Sequence, residues 1–296
     1  MDAHQTFRRG LSAALAAYVA WGLLPLFFKA LHKVPPLELV GWRVVFTLPV
    51  CIALVWTRRL LPEMRAALTS TRALGLLLLS ALLIGANWLI YVIAINGGHV
   101  LATSLGYYIN PMINVLLGTV FLGERLTRVQ WSAVALAGAG IALLLIGAVD
   151  TLAVALGLAF TFAFYGFVRK HAPVGAVPGL TIETLILLLP AIAIVTIAAS
   201  SPPGSALAHG GVNTPLLTVS GVVTAIPLML FAVAARSLPL STLGFVQFLS
   251  PTIGFILGLT VFGESLDATR LACFSLIWAA IALYSWDMFK RARAAR

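Results

Sequence analysis

The chain has 296 residues, 61% of them hydrophobic and only 9% charged, with a net charge of +10. Its mean hydropathy is +1.04, and the apolar residues fall in runs so long that no stretch is left for a water-soluble domain. A basic surplus in such a chain argues for charge sidedness across a bilayer rather than for nucleic-acid binding.

A bilayer-spanning helix needs roughly 20 apolar residues, and its backbone polar groups must be satisfied within the helix itself. Ten runs qualify: 11–32, 37–57, 73–96, 101–122, 129–147, 150–169, 178–199, 215–235, 241–262 and 268–286. The expected fold is an all-α polytopic membrane protein of ten transmembrane helices. The first run follows Arg8-Arg9, is too long for a cleaved leader and lacks a small-residue cleavage site, so it is expected to stay as a signal anchor. It carries Trp21 at its centre and no carboxylate. The second run holds Glu38 near its start and Arg43 two turns in. Arg43 must find a carboxylate, a carbonyl or water there; it could draw an anionic group of a substrate or serve a structural pair.

The third run contributes Asn87, Trp88 and Tyr91, with Asn96 at its end. Asn87 and Trp88 lie deeper than an interfacial anchor would, so a cavity role and plain packing both stay open. In the fourth, Tyr107, Asn110 and Asn114 are spaced three and four apart and share one helical face. Pro111 sits among them, lacks an amide hydrogen and releases the carbonyl of Tyr107. The fifth run contains "ALAGAGIALLLIGA" (135–148), whose small residues suit close helix packing. The sixth places Tyr165 where the first has Trp21. The seventh begins near Glu183, the eighth has Pro227 at mid-span, and the ninth carries Gln247, Ser250 and Pro251. Glu38 and Glu183 are each a candidate gate or coupling group, or a carboxylate favoured by a helix N-terminus.

Charge fixes an orientation. With the N-terminus inside, fifteen of the nineteen Lys and Arg lie on the cytoplasmic side, three (Lys29, Lys33, Arg270) lie outside and Arg43 is in a span. This is a strong positive-inside bias, and both termini are expected in the cytoplasm. The tail "KRARAAR" suits anionic headgroups. Cys51 and Cys273 fall within spans and offer neither a disulfide framework nor a metal motif. The five histidines sit at termini or in loops.

The chain also repeats itself. At an offset of 140 residues, seven of the nineteen positions 108–126 recur in 248–266: Pro111, Ile113, Leu117, Gly118, Gly123, Glu124 and Leu126. The copies lie five spans apart, so they enter the membrane from opposite sides. That is the mark of inverted repeats, which place a substrate site at the repeat interface near the midplane. Two five-helix halves follow, 1–148 and 149–296. Gln247, Ser250 and Gly254 match Tyr107, Asn110 and Asn114, and Pro251 releases the carbonyl of Gln247. The two polar faces make a plausible central site; ordinary kinks with interhelical hydrogen bonds are the plainer alternative. Gly123-Glu124 and Gly263-Glu264 end their helices at opposite faces, and their acids are read as local caps.

Six segments, "ALAAYVAWGLLPLFFK", "LIGANWLIYVIAIN", "TSLGYYINPMINVLLGTVFLGERLTRVQW", "GLAFTFAFYGFVRK", "TIETLILLLP" and "LSTLGFVQFLSPT", are spread along the chain from residue 14 to residue 252. In these the chain resembles the EamA family of the drug/metabolite transporter superfamily. The resemblance implies a bacterial inner-membrane permease of ten helices in two inverted halves. The small four-helix multidrug exporters of that superfamily depend on a carboxylate in their first span, and its absence here argues against quaternary ammonium export.

The leading expectation is a secondary transporter moving a small neutral or zwitterionic metabolite or an amphenicol-like drug by alternating access. A passive facilitator or channel is the alternative, and a membrane receptor a weaker one. Candidate substrate contacts are Trp21, Arg43, Asn87, Trp88, Tyr107, Asn110, Asn114, Tyr165, Gln247 and Ser250, with Pro111, Pro227 and Pro251 as kinks. Expected partners are a small-molecule substrate and the lipid bilayer, with protons as a candidate coupling ion and no nucleic acid; monomer and homodimer stay open. An enzyme would need clustered carboxylates or histidines at an interface. None is visible, so no catalytic role, cofactor or metal is expected.

Overall fold

A computed structural model describes residues 3–97, 100–145, 152–202, 204–208, 210–263 and 268–294. The half boundary at 148/149, Glu264 and Arg296 lie outside the described residues. Twelve α-helices follow in order: α1 (Ala3–Ala30), α2 (Pro36–Thr57), α3 (Leu61–Thr69), α4 (Thr71–Asn96), α5 (Val100–Leu116), α6 (Arg128–Leu145), α7 (Leu152–His171), α8 (Ala176–Ser200), α9 (Asn213–Ser237), α10 (Leu240–Gln247), α11 (Leu249–Thr260) and α12 (Ala268–Ala294). Among the described residues there is no strand, and nine helical stretches are long and apolar enough to cross a membrane. The run 101–122 is also helical, but α5 stops short at Leu116 and continues as a π-helical turn, Leu117–Phe121. The run 241–262 is broken in two at Phe248.

Those two irregularities fall in the repeated segments. In α5 the helix passes through Pro111 and widens only afterwards, where the Glu124 amide donates back to the Gly118 carbonyl at 2.9 Å. Gly123 makes the reversal at φ +65°, a conformation that glycine adopts without a Cβ penalty. In the second copy the break comes before the proline. Pro251 cannot donate to the Gln247 carbonyl, and the Phe248 amide turns to Phe245 at 3.4 Å instead. Charged connection 58–72 contains one element the apolar runs did not announce: α3 starts on Leu61-Pro62 and tucks Ala67 against a small cluster with Leu77 and Ile182.

The long helices pack in pairs that interleave the two halves of the chain: α1 with α9, α2 with α8 and α9, α4 with α7, α5 with α7 and α10, α6 with α12, and α1 with α11. Lipid tails give apolar side chains no reason to leave them, so close approach through small residues supplies much of the association. A Cβ on Gly140 of α6 would lie 3.0 Å from the Cys273 carbonyl of α12. On α9, a Cβ at Gly221 would meet the Phe46 carbonyl of α2 at 2.2 Å, which no side chain can occupy. Outward faces carry the exposed apolar residues, Leu189 at 79% and Ile197 at 65% among them. Trp56 and Trp286 lie near helix ends, where amphipathic rings suit the headgroup level.

Candidate functional site

Helices α5 and α10 meet closely along one half of their length. Gly244 allows it, since a Cβ there would sit 2.7 Å from the Pro111 carbonyl and 3.2 Å from the Asn114 Cβ. At this crossing the Asn110 amide donates to the Ala159 carbonyl of α7 at 2.7 Å. Asn114 Nδ2 donates to Asn110 Oδ1 at 3.0 Å and to Gln247 Oε1 at 2.9 Å. All three side chains are buried, and Asn114 Oδ1 has no hydrogen-bond partner among the described residues. The structure therefore brings Asn110, Asn114 and Gln247 together as a polar ladder across the two halves. Ser250 lies half-buried just beyond the break, on α11.

The other half of α5 is more open. Tyr107 keeps 42% of its surface accessible. Tyr91 and Tyr107 are near enough to Arg43 to interact with it electrostatically. The Arg43 guanidinium lies between two rings, 5.4 Å from the Phe28 centroid and 5.5 Å from that of Trp88. Its Nε donates to Thr224 Oγ1 of α9 at 2.9 Å. Neither ring carries charge, so the cation is held by ring faces and one hydroxyl.

Trp21 and Tyr165, expected at the cavity wall, both pack on Phe231 of α9. Trp21 is half-buried, 5.6 Å from Phe231 and 5.5 Å from Phe162. Tyr165 is fully buried and stacks on Phe231 at 5.7 Å and 13°. Its hydroxyl donates to Glu183 Oε2 at 3.4 Å. Glu183 also accepts from the Ser80 hydroxyl and faces Arg169 Nη1 at 3.5 Å, with both ionic side chains sealed from solvent. Trp88, Thr224, Tyr165 and Glu183 line one small cleft together.

Remaining expectations find structural partners. Asn87 donates to the Leu158 carbonyl and to Thr161 Oγ1, both at 2.9 Å, tying α4 to α7. Pro227 is buried inside α9. Glu38 accepts from Ser205 Oγ at 2.7 Å, the Ala206 amide at 2.8 Å and Trp42 Nε1 at 3.0 Å, so it anchors the 200–215 connection to α2. Glu124 caps the start of α10, accepting from the Leu240 and Ser241 amides at 2.6 and 2.9 Å and from Ser241 Oγ at 2.6 Å. Among the described residues no three His, Cys, Asp or Glu gather as a metal site would require. The arrangement offers rings, donors and one cation, which suits binding.

Several participants escaped the sequence reading. Arg169 was counted with the cytoplasmic cations because it closes an apolar run. The signal lay in Glu183 itself: a carboxylate a turn or two into a span needs a cation, and the nearest ones stand just across a short connection. Thr224, Phe28 and Phe231 carry no sequence signal beyond an apolar context.

The EamA-like transporter family model matches residues 8–146. Among curated relatives, a Salmonella typhimurium protein named "Protein RarD" is 44% identical over 288 residues, 97% of each chain. An "Uncharacterized transporter" of Vibrio cholerae is 44% identical over 295 residues, 99% of this chain and 97% of that one. A "Chloramphenicol-sensitive protein RarD" of Pseudomonas aeruginosa is 31% identical over 94% of each. One crystal structure superposes with a TM-score of 0.74 at 16% identity, covering 95% of this chain and 98% of the other; at that identity it speaks for the fold alone.

Proposed function

Because this chain belongs to the EamA-like transporter family, alongside the relatives called RarD, we propose that it is a secondary transporter moving a small neutral or zwitterionic organic molecule across the bacterial inner membrane by alternating access. The observation that carries the reading is the unequal meeting of α5 with its repeat partner. Over one half of their length the two spans are closed by Gly244 and the Asn114–Gln247 bond. Over the other, Tyr107 stays 42% exposed, and Arg43 lies against the Trp88 ring. A site shut at one end and open at the other is what one state of an alternating cycle requires.

In this reading ten spans form two inverted five-helix halves, 1–148 and 149–296, with both termini cytoplasmic. The polar ties support a common sidedness, for each joins chain ends that charge assigns to the same face. Glu38 meets the 200–215 connection outside, Glu63 meets Gly175 inside at 2.6 Å, and Lys29 meets Val261 outside at 3.3 Å. Substrate enters the chamber among Trp21, Arg43, Trp88 and Tyr107, and the ladder of Asn110, Asn114 and Gln247 forms its floor. Pro111, Pro227 and Pro251 provide the bends about which spans rock. Glu38 and Glu124 act as clasps on opposite faces, and Glu183 is the carboxylate placed for proton coupling, since it lines the same small cleft as Trp88. The alternative, a passive facilitator, draws support from one fact: Glu183 already has Arg169, Ser80 and Tyr165 as partners.

The test is thermal unfolding of the purified, detergent-solubilised protein with chloramphenicol, amino acids, purines and quaternary ammoniums, followed by counterflow in proteoliposomes with any hit. A ligand of the folded state raises the midpoint in proportion to its occupancy. A neutral or zwitterionic hit that exchanges across the vesicle wall supports the proposal, and acceleration by an imposed pH gradient separates coupling from facilitation. Shifts with quaternary ammoniums alone would overturn it.

A further inference from the structure

Arg43 is a cation inside the membrane that, among the described residues, has no carboxylate paired with it. An ionised group at such depth is costly and normally pairs with an opposite charge. Every described carboxylate is committed elsewhere: Glu38 to Ser205 and Ala206, Glu63 to Gly175, Glu124 to Leu240 and Ser241, Glu183 to Arg169, and Asp287 to the Thr127 hydroxyl. Among the described residues Arg43 makes one hydrogen bond, from Nε to Thr224. Its two terminal nitrogens bond no described side chain, and the residue is only half-buried.

The surroundings fix the direction of that free edge. Phe28 and Trp88 flank the guanidinium on ring faces, and Thr224 anchors Nε, so the planar group has little rotational freedom left. A guanidinium held this way presents two parallel N–H donors, the geometry that matches a carboxylate in a bidentate pair. Tyr91 and Tyr107 stand close by and offer aromatic surface to whatever carries the anion.

We infer that Arg43 is the docking point for a carboxylate, and that the transported molecule is a small organic acid or zwitterion with a flat apolar body. This rests on the transporter reading and shifts its substrate class: zwitterions stay, neutral amphenicols leave, and organic acids enter. The ligand supplies the missing counter-charge, and Trp88 and Tyr107 cover its apolar part.

The experiment compares matched pairs that differ only in charge, benzoate with benzamide and 3-phenylpropionate with 3-phenylpropanamide, by midpoint shift at constant ionic strength. The expected result is an apparent affinity about tenfold or more higher for each acid than for its amide. Arg43→Gln should bring that ratio to about one, and Arg43→Lys, which keeps the charge and loses the fork, should fall between. A ratio near one in the unmodified protein, no binding of either acid at millimolar concentration, or a ratio unchanged by Arg43→Gln would overturn the inference. Should Arg43→Gln fail to fold, the unmodified ratio and Arg43→Lys still decide. Counterflow of a neutral compound with no preference for acids would sink this inference and leave the transporter reading standing. Acid binding without any counterflow would do the reverse.

Discussion

Arg169 and Glu183 form an ion pair sealed from solvent, with Arg169 Nε left without a partner. Removing one member of such a pair strands the other charge, at a cost of about 3–5 kcal/mol, whereas replacing both with apolar groups is often neutral. Glu183→Leu should therefore lower the unfolding midpoint sharply, and Arg169→Met with Glu183→Leu should recover most of it. If Glu183 also carries the coupling proton, the double variant will regain stability without regaining gradient-driven transport; recovery of both would assign the pair to structure alone. Glu183 could be singled out from the sequence because a carboxylate in an apolar run is conspicuous. Arg169 could not, since a cation at the end of a run reads as a topology marker until its partner's position in space is known.

Among the elements, α10 depends most on a neighbour. It spans only eight residues, and its first amides are satisfied by Glu124, from the other half of the chain. A short helix of this kind is marginal without its cap, and losing the cap costs about 1 kcal/mol. Glu124→Ala should loosen the α5–α10 end, seen as faster amide hydrogen exchange over 240–247 with α6 and α12 unchanged. Unaltered exchange there would mean that packing at Gly244 alone holds α10. Gly244→Val should act more severely, since the added atoms would enter space held by the Pro111 carbonyl, and should lower the midpoint even with Glu124 intact. The apolar runs made most elements legible, because a span is a composition before it is a shape. They did not announce α3, which is too short and polar to stand out. Nor did they announce the break at Phe248, three residues ahead of the proline that invites it, or the π-helical turn after Pro111. Both are settled by how two spans meet, and a linear pattern carries no trace of that.

For the whole molecule, sidedness is the readiest thing to measure. Both cysteines are free and buried, so substituting Cys51 and Cys273 gives a background for single-cysteine labelling. In intact cells an impermeant maleimide should modify Lys33→Cys and spare Arg59→Cys, with the opposite result in inverted vesicles; the reverse pattern would overturn the assignment of both termini to the cytoplasm. The crossing of α5 and α10 bears on the rest of the cycle. Under the repeat relation, Gly244 corresponds to Ser104, Asn114 to Gly254 and Gln247 to Tyr107. Ser104 is exposed here, and nothing lies within 4 Å of where a Gly254 Cβ would stand, so that corner has room to receive Ser104 when the other end shuts. A glycine that permits contact is thus available on both faces, but the hydrogen bond from Asn114 to Gln247 is not: its mirror would pair a glycine with a tyrosine. In the proposed alternating cycle the two closed ends would therefore differ in energy, with the α10 end latched in the empty protein and cargo needed to tip a balance that the sequence itself has weighted.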